Sequence, residues 1–158
     1  MSSSWTRTAI TLFLLISLST VAGAQVEGTK KISLDPIGTV DVPTDTKLVG
    51  GQIPGRDFKV YVIYRGTLEL LDVYLGSWPN FPIDSGPKSI KLGDCNALSV
   101  LRSEPESIGR DVLVRFRLAP DIPQAAHFYY RDLPPKVAAE ADAIMASLRL
   151  SAPVECLK

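Results

Sequence analysis

The chain has few of the residues on which metal and nucleophile chemistry depends. It contains one histidine, His127, and two cysteines, Cys95 and Cys156. A zinc site needs three or four nitrogen or sulfur ligands, so we expect no metal. The sequence also lacks a glycine-rich loop of the P-loop or dinucleotide-binding type, and we expect no cofactor.

An excess of charge of either sign is absent as well. The sequence balances 17 basic residues against 17 acidic ones. Such a balance gives no electrostatic footprint for nucleic acid or an anionic membrane, so nucleic acid is not an expected partner.

The N-terminus has the organisation of a secretory signal peptide. A short polar segment with one positive charge precedes an apolar run at 9–18, and small side chains follow at Ala22 and Ala24. This order predicts cleavage after residue 24. The apolar run is shorter than the roughly 20 residues that cross a bilayer, so no membrane insertion is expected after cleavage. The predicted location is periplasmic or secreted.

The two cysteines predict one disulfide. An even number in an oxidising compartment favours a bridge, because a catalytic thiol or a metal site needs partners that this sequence does not offer. Both cysteines lie near turn-forming residues, and we expect neither to fall inside a strong strand. The bridge requires their Cα atoms to lie within about 7 Å.

A predicted hairpin at 59–82 is the centre of the fold. Its first arm alternates: Phe58, Val60, Val62 and Tyr64 share one face, and Lys59, Tyr61, Ile63 and Arg65 share the other. Gly66 supplies the turn. The second arm, 68–75, is apolar on both faces, which is typical of a strand in the middle of a sheet.

Further strands are predicted on both sides of this hairpin. Gly50-Gly51 indicates a bulge or a sharp bend in one of them. In another, Asp111, Arg115 and Arg117 are expected to face water. The remaining strands are predicted at 31–34, 37–42, 47–53, 89–92, 97–102, 111–118 and 125–131.

One helix is predicted near the C-terminus, over about 135–148. Asp132 is the expected N-cap, with proline accepted in the first turn. An apolar stripe at helical spacing should pack on the sheet; its members are Val137, Ala141, Ile144, Met145 and Leu148.

Strands in succession followed by one helix predict an α+β fold. We expect a single antiparallel β-sheet of about seven or eight strands with the C-terminal helix packed on one face. Residues 25–36 are expected to form a flexible segment or an edge strand, and 37–158 a single α+β domain.

Two segments resemble known families. ADAIMASLRL at 141–150 and IGTVDVPTDTKL at 37–48 resemble the ending and the opening of PsbP-like domains, although the early helix of that superfamily is not indicated here. That resemblance implies an antiparallel sheet with helix cover and a non-enzymatic binding or assembly role. Asp84-Ser85-Gly86, after an aromatic loop, resembles the Ser-Gly loop of exported bacterial lysozyme inhibitors, which are small β-rich proteins with a disulfide.

The loop at 76–82 is the strongest candidate binding site. It carries Trp78 directly before Pro79 and Phe81 between Pro79 and Pro82, and the candidate binding residues are Tyr74, Trp78, Asn80 and Phe81. The prolines on either side of Asn80-Phe81 reduce the flexibility of the loop, so ordering it on binding would cost less. The alternative, that Trp78 and Phe81 close the end of the sheet, is slightly favoured because small domains bury aromatics.

No catalytic residue is expected. A triad would need His127 beside a nucleophile, and a lone histidine in an aromatic strand is more often structural. Asp72 lies between apolar residues in a strand, and if it faces inward it needs a partner such as Arg65 or Arg115.

The residues therefore predict an exported, non-enzymatic binding or interaction domain of the bacterial envelope. Its partner would be an envelope protein or a small ligand. The alternatives are an inhibitor or immunity-type protein directed against a cell-wall hydrolase, and a small hydrolase with an unrecognised site.

Overall fold

The computed structural model describes residues 28–118 and 122–157, and the predicted signal peptide lies outside them. Within these ranges the chain forms eleven strands, a 3₁₀ helix at Ile83–Ser85 and one α-helix, α1, at Pro135–Ala146. Neither helix is long and apolar enough to cross a membrane. The strands are β1 Thr29–Leu34, β2 Gly38–Pro43, β3 Thr46–Gln52, β4 Lys59–Arg65, β5 Leu68–Gly76, β6 Lys88–Leu92, β7 Cys95–Ser103, β8 Ile108–Leu118, β9 Ile122–Leu133, β10 Arg149–Leu150 and β11 Glu155–Cys156.

Eight of these strands form one antiparallel sheet in the order β3-β4-β5-β9-β8-β7-β6, with β11 paired to β8. The predicted central hairpin is β4–β5, and β5 lies between β4 and β9, as its apolar character on both faces indicates. Gly66 turns the hairpin at a φ of 61°, which glycine adopts without steric cost. The predicted α+β fold is confirmed.

The other three strands form a second, smaller sheet in the order β1-β2-β10, which the single-sheet prediction did not include. Val40 and Val42 of β2 join the same hydrophobic core as the large sheet, and the Tyr61 hydroxyl donates to the Asp35 carbonyl at 3.1 Å. Gly38 is needed where β10 meets β2, because a Cβ there would lie 2.0 Å from the Arg149 carbonyl oxygen. The small sheet and α1 thus cover the same face of the large sheet.

Helix α1 packs its predicted apolar stripe on the large sheet. Val137 is half-buried, and the other stripe residues, Ala141, Ile144, Met145 and Leu148, are buried, Leu148 lying just beyond the end of the helix. The Asp132 cap was wrong: this residue lies within β9 at a φ of 51°, and Pro134 precedes the helix without a side-chain cap. Pro135 in the first turn has no N–H to be capped.

Ion pairs also fix α1 to the sheet. Arg65 Nη1 lies 3.0 Å from a Glu140 carboxylate oxygen, and Arg110 Nη1 lies 2.7 Å from Asp142 Oδ2. The buried Tyr130 hydroxyl donates to the other Asp142 oxygen at 3.0 Å. The charged side of the helix therefore contributes contacts as well as its apolar stripe.

The glycine pair in β3 differs from its prediction. The β3–β4 register is continuous, so Gly50 and Gly51 form no bulge. A Cβ at Gly50 would lie 2.1 Å from the Val60 carbonyl oxygen, so glycine lets the two backbones approach closely. The irregularity in this region lies instead between Ile63 and Tyr64 of β4, where the register with β5 shifts.

The predicted disulfide joins Cys95 and Cys156, whose Cα atoms are 5.4 Å apart. Its local setting differs from the prediction, because Cys95 begins β7 and Cys156 lies in β11. Both cysteines belong to strands because β7 and β11 pair with successive parts of the same side of β8, whose other side pairs with β9.

Candidate functional site

The candidate site lies on the outer face of the large sheet, opposite α1. Register places Leu113 of β8 beside His127 of β9, and Arg115 beside Ala125. The same alternation directs Val112, Val114 and Phe116 into the core. A loop that follows β5 lies over part of this outer face.

A buried carboxylate organises the centre of the outer face. Asp111 has an exposed fraction of 0%, so the prediction that it faces water was wrong. His127 Nε2 lies 2.9 Å from Asp111 Oδ1, Arg131 donates to both carboxylate oxygens at 2.9 and 3.1 Å, and Arg102 donates to Oδ2. Burial alone raises the pKa of Asp111, but these three donors outweigh it and lower that pKa below its ordinary value.

His127 is almost fully buried beside Asp111. Burial lowers the pKa of its imidazole, and the opposing attraction of Asp111 does not restore it. Because an ionised carboxylate only accepts hydrogen bonds, Nε2 carries the proton. The ring is 5.6 Å from Phe81 and 4.9 Å from Tyr129, centroid to centroid, and the Arg131 guanidinium lies 5.1 Å over Tyr129. An edge-on contact between Phe81 and His127 and a tilted contact between His127 and Tyr129 thus connect the loop to the Asp111 cluster.

The two large aromatic side chains of the loop differ in their exposure to solvent. Phe81 is half-buried against His127, whereas Trp78 is 85% exposed. The predicted alternative, in which both aromatic side chains close the end of the sheet, is therefore wrong for Trp78. The backbone N–H of Trp78 donates to the Tyr74 hydroxyl at 3.4 Å, and Gln124 Nε2 donates to Ser77 Oγ at 3.3 Å.

Beneath this loop lies a cavity of about 640 Å³. A second cavity of about 200 Å³ shares three of its walls, Leu113, Arg115 and Leu157. We call the two together the loop groove. The larger lobe is lined by Ser77, Trp78, Pro79, Phe81, Ile83, Leu113, Arg115, Gln124, Ala125 and Leu157, and the smaller also by Ser89, Asn96, Ala97 and Leu98.

The predicted binding residues take different places around the groove. Trp78 and Phe81 line it, Tyr74 supports the loop from below, and Asn80 is exposed and lies outside the lining. The sequence did not indicate Arg115 or Leu157 as site residues. The available signal for Arg115 was Leu113, an apolar residue among the charged residues on the same face of its strand. The available signal for Leu157 was its neighbour Cys156, which the disulfide anchors.

Asp72 lies on the same outer face, farther from the loop. Burial raises the pKa of its carboxyl to about 7, assisted by a hydrogen bond and repulsion from Glu69 and opposed by Arg131. The predicted partners were wrong. Arg65 pairs with Asp45 and Glu140, and Arg115 lies on β8, two strands from β5. A neighbouring carboxyl group thus takes the place of the expected arginine.

In the part of the chain that the structure describes, no three His, Cys, Asp or Glu side chains are grouped so as to hold a metal ion. The described lining of the groove offers apolar side chains, amide and hydroxyl groups, and one guanidinium.

Comparison with known proteins gives little further guidance. No protein-family model and no curated protein matches the chain. A crystal structure from Bacteroides thetaiotaomicron VPI-5482 is similar at 13% identity with a TM-score of 0.43. The match covers 80% of this chain and 50% of that one, so the chain spans about half the length of that protein.

Proposed function

We propose that the protein is an exported, non-enzymatic binding domain whose ligand occupies the loop groove. The observation that carries this proposal is the 85% exposed Trp78 at the wall of an apolar cavity of about 640 Å³. Ligand sites are concave, mostly apolar and supplied with few polar groups, and their volumes commonly fall within roughly 300–1,000 Å³. Exposed tryptophan is also enriched among residues that dominate binding energy.

The base of the groove is suited to binding because it is already ordered. Phe81 rests on His127, which is fixed by Asp111 and packed against Tyr129. Prolines at 79 and 82 restrict the loop further. A ligand would therefore meet a surface that needs little ordering, which lowers the entropic cost of association.

The geometry around His127 supports a binding role over hydrolysis. The imidazole is 3% exposed, and its Nε2 proton is engaged by Asp111. Asp111 in turn is occupied by two arginines. A general base needs access to the proton that it removes, and this side chain is used instead to hold the sheet face and the loop together.

Export is supported by two features of different kinds. The first is the N-terminal pattern of a polar segment, an apolar run and small residues at Ala22 and Ala24. The second is the Cys95–Cys156 disulfide, since such bridges persist in oxidising compartments. Mass spectrometry of exported material should find a chain beginning near Gln25; a retained N-terminus would contradict the assigned cleavage site.

The binding function is tested by comparing baits in the envelope fraction of the source cells. Wild-type protein and Trp78→Ala are immobilised, and the retained proteins and small molecules are quantified. Leu101→Ala is the control, because Leu101 is an exposed apolar residue on β7 outside the groove. We expect a species that wild type and Leu101→Ala retain and Trp78→Ala loses. Equal retention by all three would contradict a groove-based function.

One feature favours a second candidate, an inhibitor of a cell-wall hydrolase. Trp78 projects from a proline-bounded loop, and a rigid protruding aromatic suits insertion into an enzyme cleft. Slowed turnover by a lysozyme or envelope peptidase, relieved by Trp78→Ala, would favour this candidate. Unchanged turnover at micromolar protein would exclude the hydrolases tested.

A further inference from the structure

Arg115 is the charged side chain among the lining residues of the loop groove. It lies on the outer face of β8 and borders both lobes of the groove, beside the apolar walls formed by Leu113 and Leu157. A guanidinium in this position is surrounded mainly by apolar side chains and two amides. Because Arg115 is exposed, its guanidinium is accessible to a ligand and can form a charge-assisted pair of hydrogen bonds with a carboxylate.

Other arginines on this sheet already have carboxylate partners. Arg65 pairs with Glu140, Arg110 with Asp142, and Arg131 with Asp111. Across 28–118 and 122–157, no carboxylate lies within ion-pair distance of Arg115. Within these ranges, the groove thus presents one guanidinium that is open to pairing with a carboxylate of a ligand.

We propose that the loop groove binds a small amphipathic monocarboxylate of the fatty-acid type, with its carboxylate on Arg115 and its chain along the apolar walls. This inference rests on the proposed function, because it names the ligand class of the same site. One guanidinium matches one carboxylate in charge and forms two parallel hydrogen bonds with it, whereas a phosphate dianion would keep a second charge without a partner.

The shape of the groove favours an extended chain. The two lobes meet at Leu113, Arg115 and Leu157, so the site is elongated and the cation borders both parts. The carboxylate binds at this junction, and the chain extends into the larger lobe towards Trp78 and Phe81. Each CH₂ that becomes buried there should raise affinity about fourfold.

Trp78 also provides the readout. The chain has two tryptophans, Trp5 and Trp78, so in a Trp5→Phe background Trp78 reports alone, whether or not the N-terminus is removed. Decanoate is titrated below its micelle concentration, and decanol serves as the uncharged ligand of equal chain length. We expect decanoate to shift the Trp78 emission to the blue and to bind about tenfold or more tightly than decanol.

The variant pair is Arg115→Gln with Arg117→Gln as its matched control. Arg117 lies two residues along the same exposed face of β8 and outside the groove lining. We expect Arg115→Gln to lower decanoate affinity about tenfold or more and to abolish the preference over decanol, whereas Arg117→Gln keeps both. Because the Arg115 side chain is exposed, both variants should melt within a few degrees of the parent.

Three results would overturn the inference. Equal affinity for decanoate and decanol, or an unchanged preference in Arg115→Gln, would show that the carboxylate is not recognised, although a groove function would stand. The absence of a spectral change with both ligands would remove the fatty-acid class. In each of these cases, the envelope experiment tests the proposed binding function independently, through the dependence of retention on Trp78.

Discussion

The two faces of the large sheet are stabilised in different ways. The face under α1 and the small sheet is apolar, and residues such as Phe116, Phe128 and Ile144 are almost fully buried. The outer face has a carboxylate at its centre, held by one histidine and two arginines. Burial of apolar area dominates on the first face, whereas charge-assisted hydrogen bonds organise the second.

This difference explains which face of the sheet leaves room for a ligand. A tightly packed apolar face has no room for a ligand, since any added volume disturbs its packing. The outer face has a fixed centre at Asp111 and an apolar groove beside it, under the aromatic loop. Variants on the two faces should therefore fail for different physical reasons.

The largest effect is expected on the helix side. Ile144→Asp places a charge at a position that is 2% exposed, without a partner, and should destabilise the protein by more than about 4 kcal/mol. Chemical denaturation measures this loss, with Ile144→Val as a control expected to cost about 1 kcal/mol. A melting temperature equal to that of wild type would mean that the stripe does not face the core.

The corresponding change on the outer face is Asp111→Asn. It removes the charge that two arginines and His127 share, and should cost about 2–4 kcal/mol in denaturant unfolding. The control is Asp41→Asn, which breaks the exposed pair with Lys31 and should cost less than about 1 kcal/mol. Similar losses in both variants would show that burial gives Asp111 no special role.

A smaller, pH-dependent effect is expected at Asp72. Its folded-state pKa of about 7 exceeds the ordinary 3.8, so the folded protein binds more protons than the unfolded chain between these values. The contribution of the Asp72 carboxyl to the free energy of unfolding is fully present below about pH 4 and is lost as the pH rises through 7. Asp72→Asn should therefore gain about 1–2 kcal/mol relative to wild type between pH 5 and pH 8, with allowance for partial exposure. A pH-independent difference between the two proteins would contradict the raised pKa.

The smallest stability effect is expected at Trp78. Because its side chain is 85% exposed, Trp78→Ala should change the free energy of unfolding by less than about 0.5 kcal/mol. Phe81→Ala, which removes the contact with His127, should cost about 1–2 kcal/mol and serves as the comparison. A larger loss for Trp78→Ala than for Phe81→Ala would assign the indole a structural role.

The helix-side face could be predicted from the sequence because its signals are local. Alternation along β4 and β8, and the spacing of Ile144 and Met145, identify strand, helix and core together. The disulfide followed from cysteine parity and compartment. The second sheet was not predicted, since β1, β2 and β10 are short and their pairing depends on contacts distant in sequence.

The outer face could be predicted only in part. Asp111 alternates with apolar residues as a solvent-facing side chain would, and its three partners come from β7 and β9, which the pattern of one strand does not reveal. Trp78 and Phe81 were found because aromatics in a proline-bounded loop are conspicuous. Their separation into one exposed and one docked ring depends on His127 beneath the loop.

The disulfide also fixes one wall of the loop groove in place. Leu157, one of its walls, follows Cys156 directly, and its N–H donates to the Arg115 carbonyl at 3.0 Å. The tail that carries this wall is joined to β7 by a covalent bond. Under the proposed function, oxidation of the cysteine pair would be a maturation step for the binding site. A chain with both thiols reduced would hold the wall by the short β11 pairing and the Leu157 hydrogen bond, without a covalent link. The proposed binding site would then be complete only after oxidation of the cysteines.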